Sequence, residues 1–148
     1  MANYMYTYAK AKIMSADIDL NADDIRVLIA MTNTTADTEA DKQFISGGTG
    51  FTTLDEADGA NYVRKALADE AVAADEANDR GEFDATDVTW TALGVGTRQY
   101  AGLVVFKFVT NDADSIPIYW IDSGGFPFWG NGGNVTAQWN AEGIGQVT

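Results

Sequence analysis

The chain is predicted to be all-β, a single domain of antiparallel strands with long loops and at most a short helix. One observation is the run Leu103-Val104-Val105-Phe106-Lys107-Phe108-Val109, β-branched and aromatic, interrupted only by Lys107 and too short for a typical helix. A second is alternation: Ile25, Val27, Ile29 and Met31 interleave with Arg26, Leu28 and Ala30, and Val135, Ala137 and Trp139 interleave with Thr136, Gln138 and Asn140. The third is turn chemistry between these runs: Gly94-Val95-Gly96, then Asn111-Asp112-Ala113-Asp114-Ser115, then the glycine-flanked stretch from Ser123 to Asn134. Short strands separated by such signals make an antiparallel β-sandwich or barrel.

At 148 residues the chain forms one domain and buries about two-thirds of the surface its unfolded form exposes. No disulfide or metal is needed to hold it. With no cysteine and no histidine, disulfides, thiolate metal sites, Cys or His nucleophile relays and the usual zinc ligands are all removed. The lack of cysteine fits folding in a reducing cytoplasm. Met1 to Tyr8 carries no apolar signal-peptide core, and no stretch has the apolar length of a membrane span, so a soluble chain with no membrane partner is expected.

The net charge of -13 is unevenly placed. Residues 1–89 hold 18 of the 22 acids and 7 of the 9 bases, and residues 90–148 hold the rest. Such an acidic surface repels phosphate backbones and disfavours nucleic acid. The near-neutral half, rich in Gly, Trp and Phe, is where core and contact surface are expected.

Along the chain, residues 1–16 are read as an N-terminal arm or edge strand, and 17–148 as the β domain. Tyr4, Tyr6 and Tyr8 recur at a spacing of two, which places three rings on one side of an extended segment. Asp17-Ile18-Asp19-Leu20-Asn21-Ala22-Asp23-Asp24 has oxygen ligands at alternate positions, as in a calcium loop. The match fails because the sixth position is Ala22 instead of glycine and the twelfth is Leu28 instead of glutamate. A strand follows from about Ile25 to Asn33.

Thr34 to Gly59 is loop, with a short helical turn expected around Asp41 to Ile45. Its Gly47-Gly48-Thr49-Gly50 cluster lacks the Gly-Lys-Ser/Thr ending of a phosphate cradle. Gly94 and Gly96 begin a dinucleotide pattern whose third position is Gln99, and they precede a strand where that motif needs a helix. Residues 61–78 are alanine-rich, and Val63, Ala66, Leu67, Ala71 and Ala74 are spaced as on an amphipathic helix. Asn78-Asp79-Arg80-Gly81 is a turn, after which Phe83, Val88 and Trp90 resume the extended pattern. The remaining strands are Tyr100 to Val109, Pro117 to Asp122, Val135 to Asn140 and a last short one within Ile144 to Val147. Trp90 and Trp139 are expected in the core.

Several segments together resemble a family of small bacteriophage virion proteins, capsid decoration (cement) or minor structural proteins. They are Asp17-Ile18-Asp19-Leu20 with Asp24-Ile25-Arg26-Val27; Arg80 through Trp90; Tyr100 to Lys107; Pro117 to Asp122; and Trp139-Asn140-Ala141-Glu142-Gly143-Ile144. The resemblance covers most of the chain from Asp17 onward. It implies a jelly-roll-like β-sandwich, with two strands in place of the helix over residues 61–78. It also implies a structural protein of the virion, assembled in the host cytoplasm, bound to the major capsid protein or another virion protein and associating as a homo-oligomer, a trimer by preference. Where family members carry a leucine or isoleucine run before the aspartate, this chain has Ile118-Tyr119-Trp120-Ile121, and its Phe126 to Trp129 loop is more aromatic.

Candidate interface residues are Tyr4, Tyr6, Tyr8, Phe126, Phe128 and Trp129, since aromatic rings anchor interfaces. The alternative for Phe126, Phe128 and Trp129 is that they fold back to cap their own sandwich. A carbohydrate-binding or adhesion module is the runner-up function, because four Trp and six Tyr offer stacking platforms. An enzyme would have to rest on paired carboxylates, and no local constellation singles out a pair. Catalytic residues, cofactor-binding residues and metal ligands are therefore not assigned.

Overall fold

The computed structural model describes residues 3–148. In chain order its elements are β1 (Tyr4–Met5), α1 (Thr7–Met14), β2 (Ile25–Met31), β3 (Lys65–Ala66) and β4 (Ala71–Asp75). Then come β5 (Arg80–Asp84), β6 (Val88–Trp90), β7 (Tyr100–Lys107), β8 (Ile116–Ile121), β9 (Val135–Ala137) and β10 (Gly145–Val147). All named strand pairs are antiparallel, so the all-β expectation holds. The strands form a five-stranded sheet ordered β1-β8-β7-β2-β3, a three-stranded sheet ordered β10-β5-β4 and a two-stranded sheet of β6 and β9.

β7 is central in the large sheet because it has no polar face to expose. Gly102 through Phe106 are all buried. Leu103 lies opposite both Ile29 and Ile121, and Val105 opposite both Val27 and Tyr119. These residues share one face; Leu28, Val104 and Trp120 share the other. Burying each large apolar side chain contributes about 1.5–3 kcal/mol, and here both faces do so.

The first face is covered by the small sheets. The Phe83 ring of β5 stacks on Tyr119 of β8 with centroids 6.4 Å apart and planes 9° from parallel. Trp90 of β6 is 1% exposed and donates its indole N–H to the Val63 carbonyl at 2.7 Å. The opposite face lies under the N-terminal segment and the loop of residues 32–60. The Tyr4 and Tyr6 hydroxyls both donate to the Ala36 carbonyl, and the Tyr6 ring meets Phe51 at 5.4 Å.

Trp120 fits only because its strand neighbour is glycine: a Cβ on Gly102 would lie 2.4 Å from the Trp120 ring. Arg64 locks three loops together. Its Nε and Nη2 donate to Glu56 at 2.8 and 2.7 Å, and its Nη1 donates to Asp112 at 2.6 Å. Hydrogen bonds to these two carboxylates hold the Arg64 guanidinium firmly protonated.

Two local expectations are corrected and one open choice is decided. The extended N-terminal segment ends at Tyr6, because Ala9, Ala11, Lys12 and Met14 are strong helix formers and α1 begins at Thr7. Over residues 61–78 the structure has β3 and β4, the two strands the resemblance implies, and not the helix that alanine content alone favours: five backbone pairings between β4 and β5 outweigh that propensity. No helical turn spans 41–45. The turn lies earlier, where Glu39 N–H donates to the Thr35 carbonyl at 2.9 Å and the Glu39 carboxylate gathers the Thr35 and Thr52 hydroxyls.

In the acidic stretch after α1, Asp17, Asp23 and Asp24 are each directed at a separate cation, while Asp19 accepts the Asn21 N–H at 2.9 Å. Lys12 pairs with Asp17 at 2.9 Å, Lys107 with Asp23 at 2.8 Å, and Arg26 holds Asp24 with two donors at 2.9 and 2.6 Å. Among the described residues, no helix is long and apolar enough to cross a membrane.

Candidate functional site

The chain leaves β8 at Ile121 and turns through Gly124 and Gly125, whose φ values of 87° and 110° favour glycine. Asn3 fixes the start of this loop, its side-chain oxygen accepting the N–H groups of Asp122 at 3.0 Å and Ser123 at 3.2 Å. Phe126 then joins Pro127 through a cis peptide bond. Phe128 lies back on the main sheet. Its N–H donates to the Tyr100 carbonyl at 3.0 Å and its carbonyl accepts the Tyr100 N–H at 2.8 Å. The Phe128 ring meets Tyr100 edge-on at 5.5 Å and Phe126 at 5.4 Å.

Close backbone approach holds the end of the loop. Gly130 packs on the Gly94 carbonyl, where a Cβ would sit 2.0 Å away, and the Tyr100 hydroxyl donates to that same oxygen at 2.7 Å. The structure thereby divides the aromatic triplet. Phe126 and Phe128 are half-buried and face inward, while Trp129 points outward at 53% exposure.

Between this loop and β9 runs a groove of about 560 Å³. Ile29, Leu103 and Ile121 of the main sheet form its floor, Phe126 and Phe128 one wall, and the segment from Val135 to Asn140 the other. All but Asn3 and Ile29 of its lining come from residues 90–148, the half of low charge. Among the described residues, the lining contains no Asp, Glu, Lys, Arg or Tyr, although 21% of the chain is charged. A second groove of about 340 Å³ shares Asn3, Asn140, Gly143 and Ile144 with the first and adds the phenols of Tyr4 and Tyr119. With no group to take up or release a proton, the main groove is equipped to bind by apolar, aromatic and amide contacts.

Trp139 belongs to this wall and is half-buried, which corrects its expected place in the core. Its indole N–H donates to the Thr86 carbonyl at 3.0 Å and its backbone N–H to Asp87 at 2.9 Å, so one side of the ring is pinned and the other left open.

The three N-terminal tyrosines do not form a common outer face. Tyr6 is 0% exposed and is corrected from an interface candidate to a core residue; burial drives its phenol pKa upward. Tyr4 is half-buried, and burial pushes its phenol up to about 12. Tyr8 sits on α1, half-buried against Phe44 at 5.7 Å, with the Lys12 ammonium 5.4 Å from its ring centroid. The start of α1 separates it from the strand that carries Tyr4.

One further group of acids was not read from sequence. Oxygens of Asp75, Glu82 and Glu142 lie within 4.8 Å of one another, close enough to hold a cation. The Arg80 guanidinium already lies among them, pairing with Asp75 at 3.0 Å, Glu82 at 2.8 Å and Glu142. Spacing along the chain gives no hint of this, because Glu142 arrives from the far end. The groove wall left a fainter sign: the alternation from Val135 to Asn140 marked a half-buried strand, and its open side became visible only in the fold. Comparison with protein-family models, with curated proteins and with solved structures yields no match to this chain.

Proposed function

We propose that the protein is a non-enzymatic structural component of a bacteriophage particle, a capsid decoration or cement protein that adheres to the head lattice and stabilises it. The observation that carries this is the uncharged aromatic groove with Trp129 standing exposed beside it. Such a surface is built to adhere: aromatic rings dominate interface energetics, and many copies each burying a modest area add up over a lattice. The strand and turn segments that resemble virion proteins support the same reading. In it the partner is the major capsid protein or another virion protein, the chain associates with itself as a trimer, and the acidic half faces solvent and keeps nucleic acid away.

The test is co-sedimentation with purified particles, comparing the parent chain with Trp129→Ala. Lost particle binding at an unchanged melting temperature supports the interface; a lowered melting temperature with binding retained counts against it. A second reading, a carbohydrate-binding module on a virion surface, is favoured by the half-exposed rings of Phe126 and Trp139 in one groove beside the amides of Gln138 and Asn140. A glycan array with no signal above background removes it.

A further inference from the structure

β9 is paired on one side only. Its sheet has two strands, β6 supplies one neighbour, and among the described residues no strand lies along the other edge. The groove identifies where that edge points. Val135, Thr136, Ala137, Gln138, Trp139 and Asn140 all line it in unbroken succession. Side chains of a strand alternate between its faces, so a cavity that touches every successive residue runs along the edge and not across one face.

The layer is also incomplete where an additional strand would sit. Val135, Ala137 and Trp139 on one wall and Phe126 and Phe128 on the other remain half-buried, over a floor of Ile29, Leu103 and Ile121 that is already 8% exposed or less. At about 3.3 Å per residue β9 itself offers an edge about 10 Å long, and the wall continues past it through Gln138 and Trp139 to Asn140, whose carbonyl accepts the Gly143 N–H. A charged segment entering this groove would lose hydration and meet no counter-ion among the described residues of its lining.

We propose that the groove receives an extended, uncharged polypeptide segment of the partner, which adds to the open edge of β9 as a further strand. Main-chain hydrogen bonds to β9 supply the affinity, and alternate side chains of the guest pack between the half-buried walls, against Phe126, Val135, Ala137 and Trp139. A polypeptide is favoured over a sugar because an open strand edge offers donors and acceptors at main-chain spacing. The proposal deepens the adhesive reading above and rests on it for the identity of the partner as a protein.

The experiment uses the full-length ¹⁵N-labelled protein and follows amide shifts across Val135–Asn140. The probes are N-acetylated, C-amidated hexapeptides that alternate Thr with Val, Ile or Ala; the same peptides N-methylated at every second residue; and maltohexaose and cellohexaose. Saturable shifts on Val135–Asn140 are expected with the first set, with affinity at least tenfold weaker after N-methylation. Gln138→Glu, at an exposed position of the wall, is expected to weaken peptide binding by a similar factor without unfolding the chain. No shift at millimolar peptide, equal affinity for the N-methylated peptides, or saturation by the oligosaccharides instead overturns the proposal. If the peptides fail while the parent protein still co-sediments with particles, this edge is wrong and the adhesive reading stands. If the peptides bind while particles are ignored, the adhesive reading is the one that fails.

Discussion

Two outlying pairs of strands flank the main sheet, and their edges are treated in opposite ways. The β4–β5 hairpin and its flanks, residues 69–87, hold eight carboxylates against the single cation Arg80. Ala71 to Ala74 are exposed, and the Val72 N–H on β4 donates to the Asn21 side chain at 2.8 Å, which blunts that edge. Among the described residues, β9 has no such cap on its groove side and no charge along it. Exposed strand edges invite pairing with other chains, and folds usually close them with charge or covering groups. Of these two edges, one is capped at Val72 and acidic and the other is open and neutral, so the open one is the more available for contact.

Phe83→Ala breaks this contrast most severely. Phe83 is 2% exposed and supplies the stacking contact between the acidic sheet and Tyr119, so its truncation is expected to cost about 3–5 kcal/mol in denaturant melts. Hydrogen exchange should rise across β4 and β5 before it rises at Val135–Asn140. Gly102→Ala strikes the sheet that both sides share. The added methyl meets the Trp120 ring, and a loss of about 1–3 kcal/mol is expected, with protection falling on both sides together.

Acid sharpens the contrast. Hydrogen bonds from Asn78 and Arg80 lower the Asp75 pKa, and although burial raises that of Glu39, hydrogen bonds from Thr35 and Thr52 bring it down to about 2. Both are depressed carboxylates. Their stabilisation is fully present above the unfolded carboxylate range, about pH 4, and is lost as pH falls through the folded values. Melting temperature should therefore drop between pH 4 and pH 2, and Glu39→Gln should flatten that drop. Among the described residues the groove lining has no titrating group, so peptide binding should hold constant from pH 5 to 9. The smallest effect is on stability at the exposed sites: Trp129→Ala and Val72→Thr should each change it by less than about 0.5 kcal/mol.

The all-β class and the strands β2, β7, β8 and β9 were legible because β-branched runs and alternation are dictated by burial on one or both faces. β4 was not legible from its own residues. Ala71, Val72, Ala73 and Ala74 have little side chain to bury and stay exposed, so backbone pairing with β5 and the bond from Asn21 decide their state. α1 was obscured by the tyrosine spacing, and Ala9, its one buried residue, leaves no amphipathic signal. Within the candidate site, the inward turn of Phe126 and Phe128 and the outward turn of Trp129 depend on the bridge to Tyr100, which lies a whole hairpin away in sequence. The groove required six separated stretches, from Asn3 and Ile29 to Leu103, Phe126 and Trp139, to meet, and no local pattern encodes that meeting.

The central claim is that adhesion runs through a surface without charge, and the salt dependence of particle binding tests it most directly. Co-sedimentation of the parent chain with particles from 50 mM to 500 mM salt is expected to hold constant, because an interface of aromatic and main-chain contacts releases few counter-ions. Binding that collapses across that range, with the fold intact, would place the contact on the acidic hairpin and contradict the account.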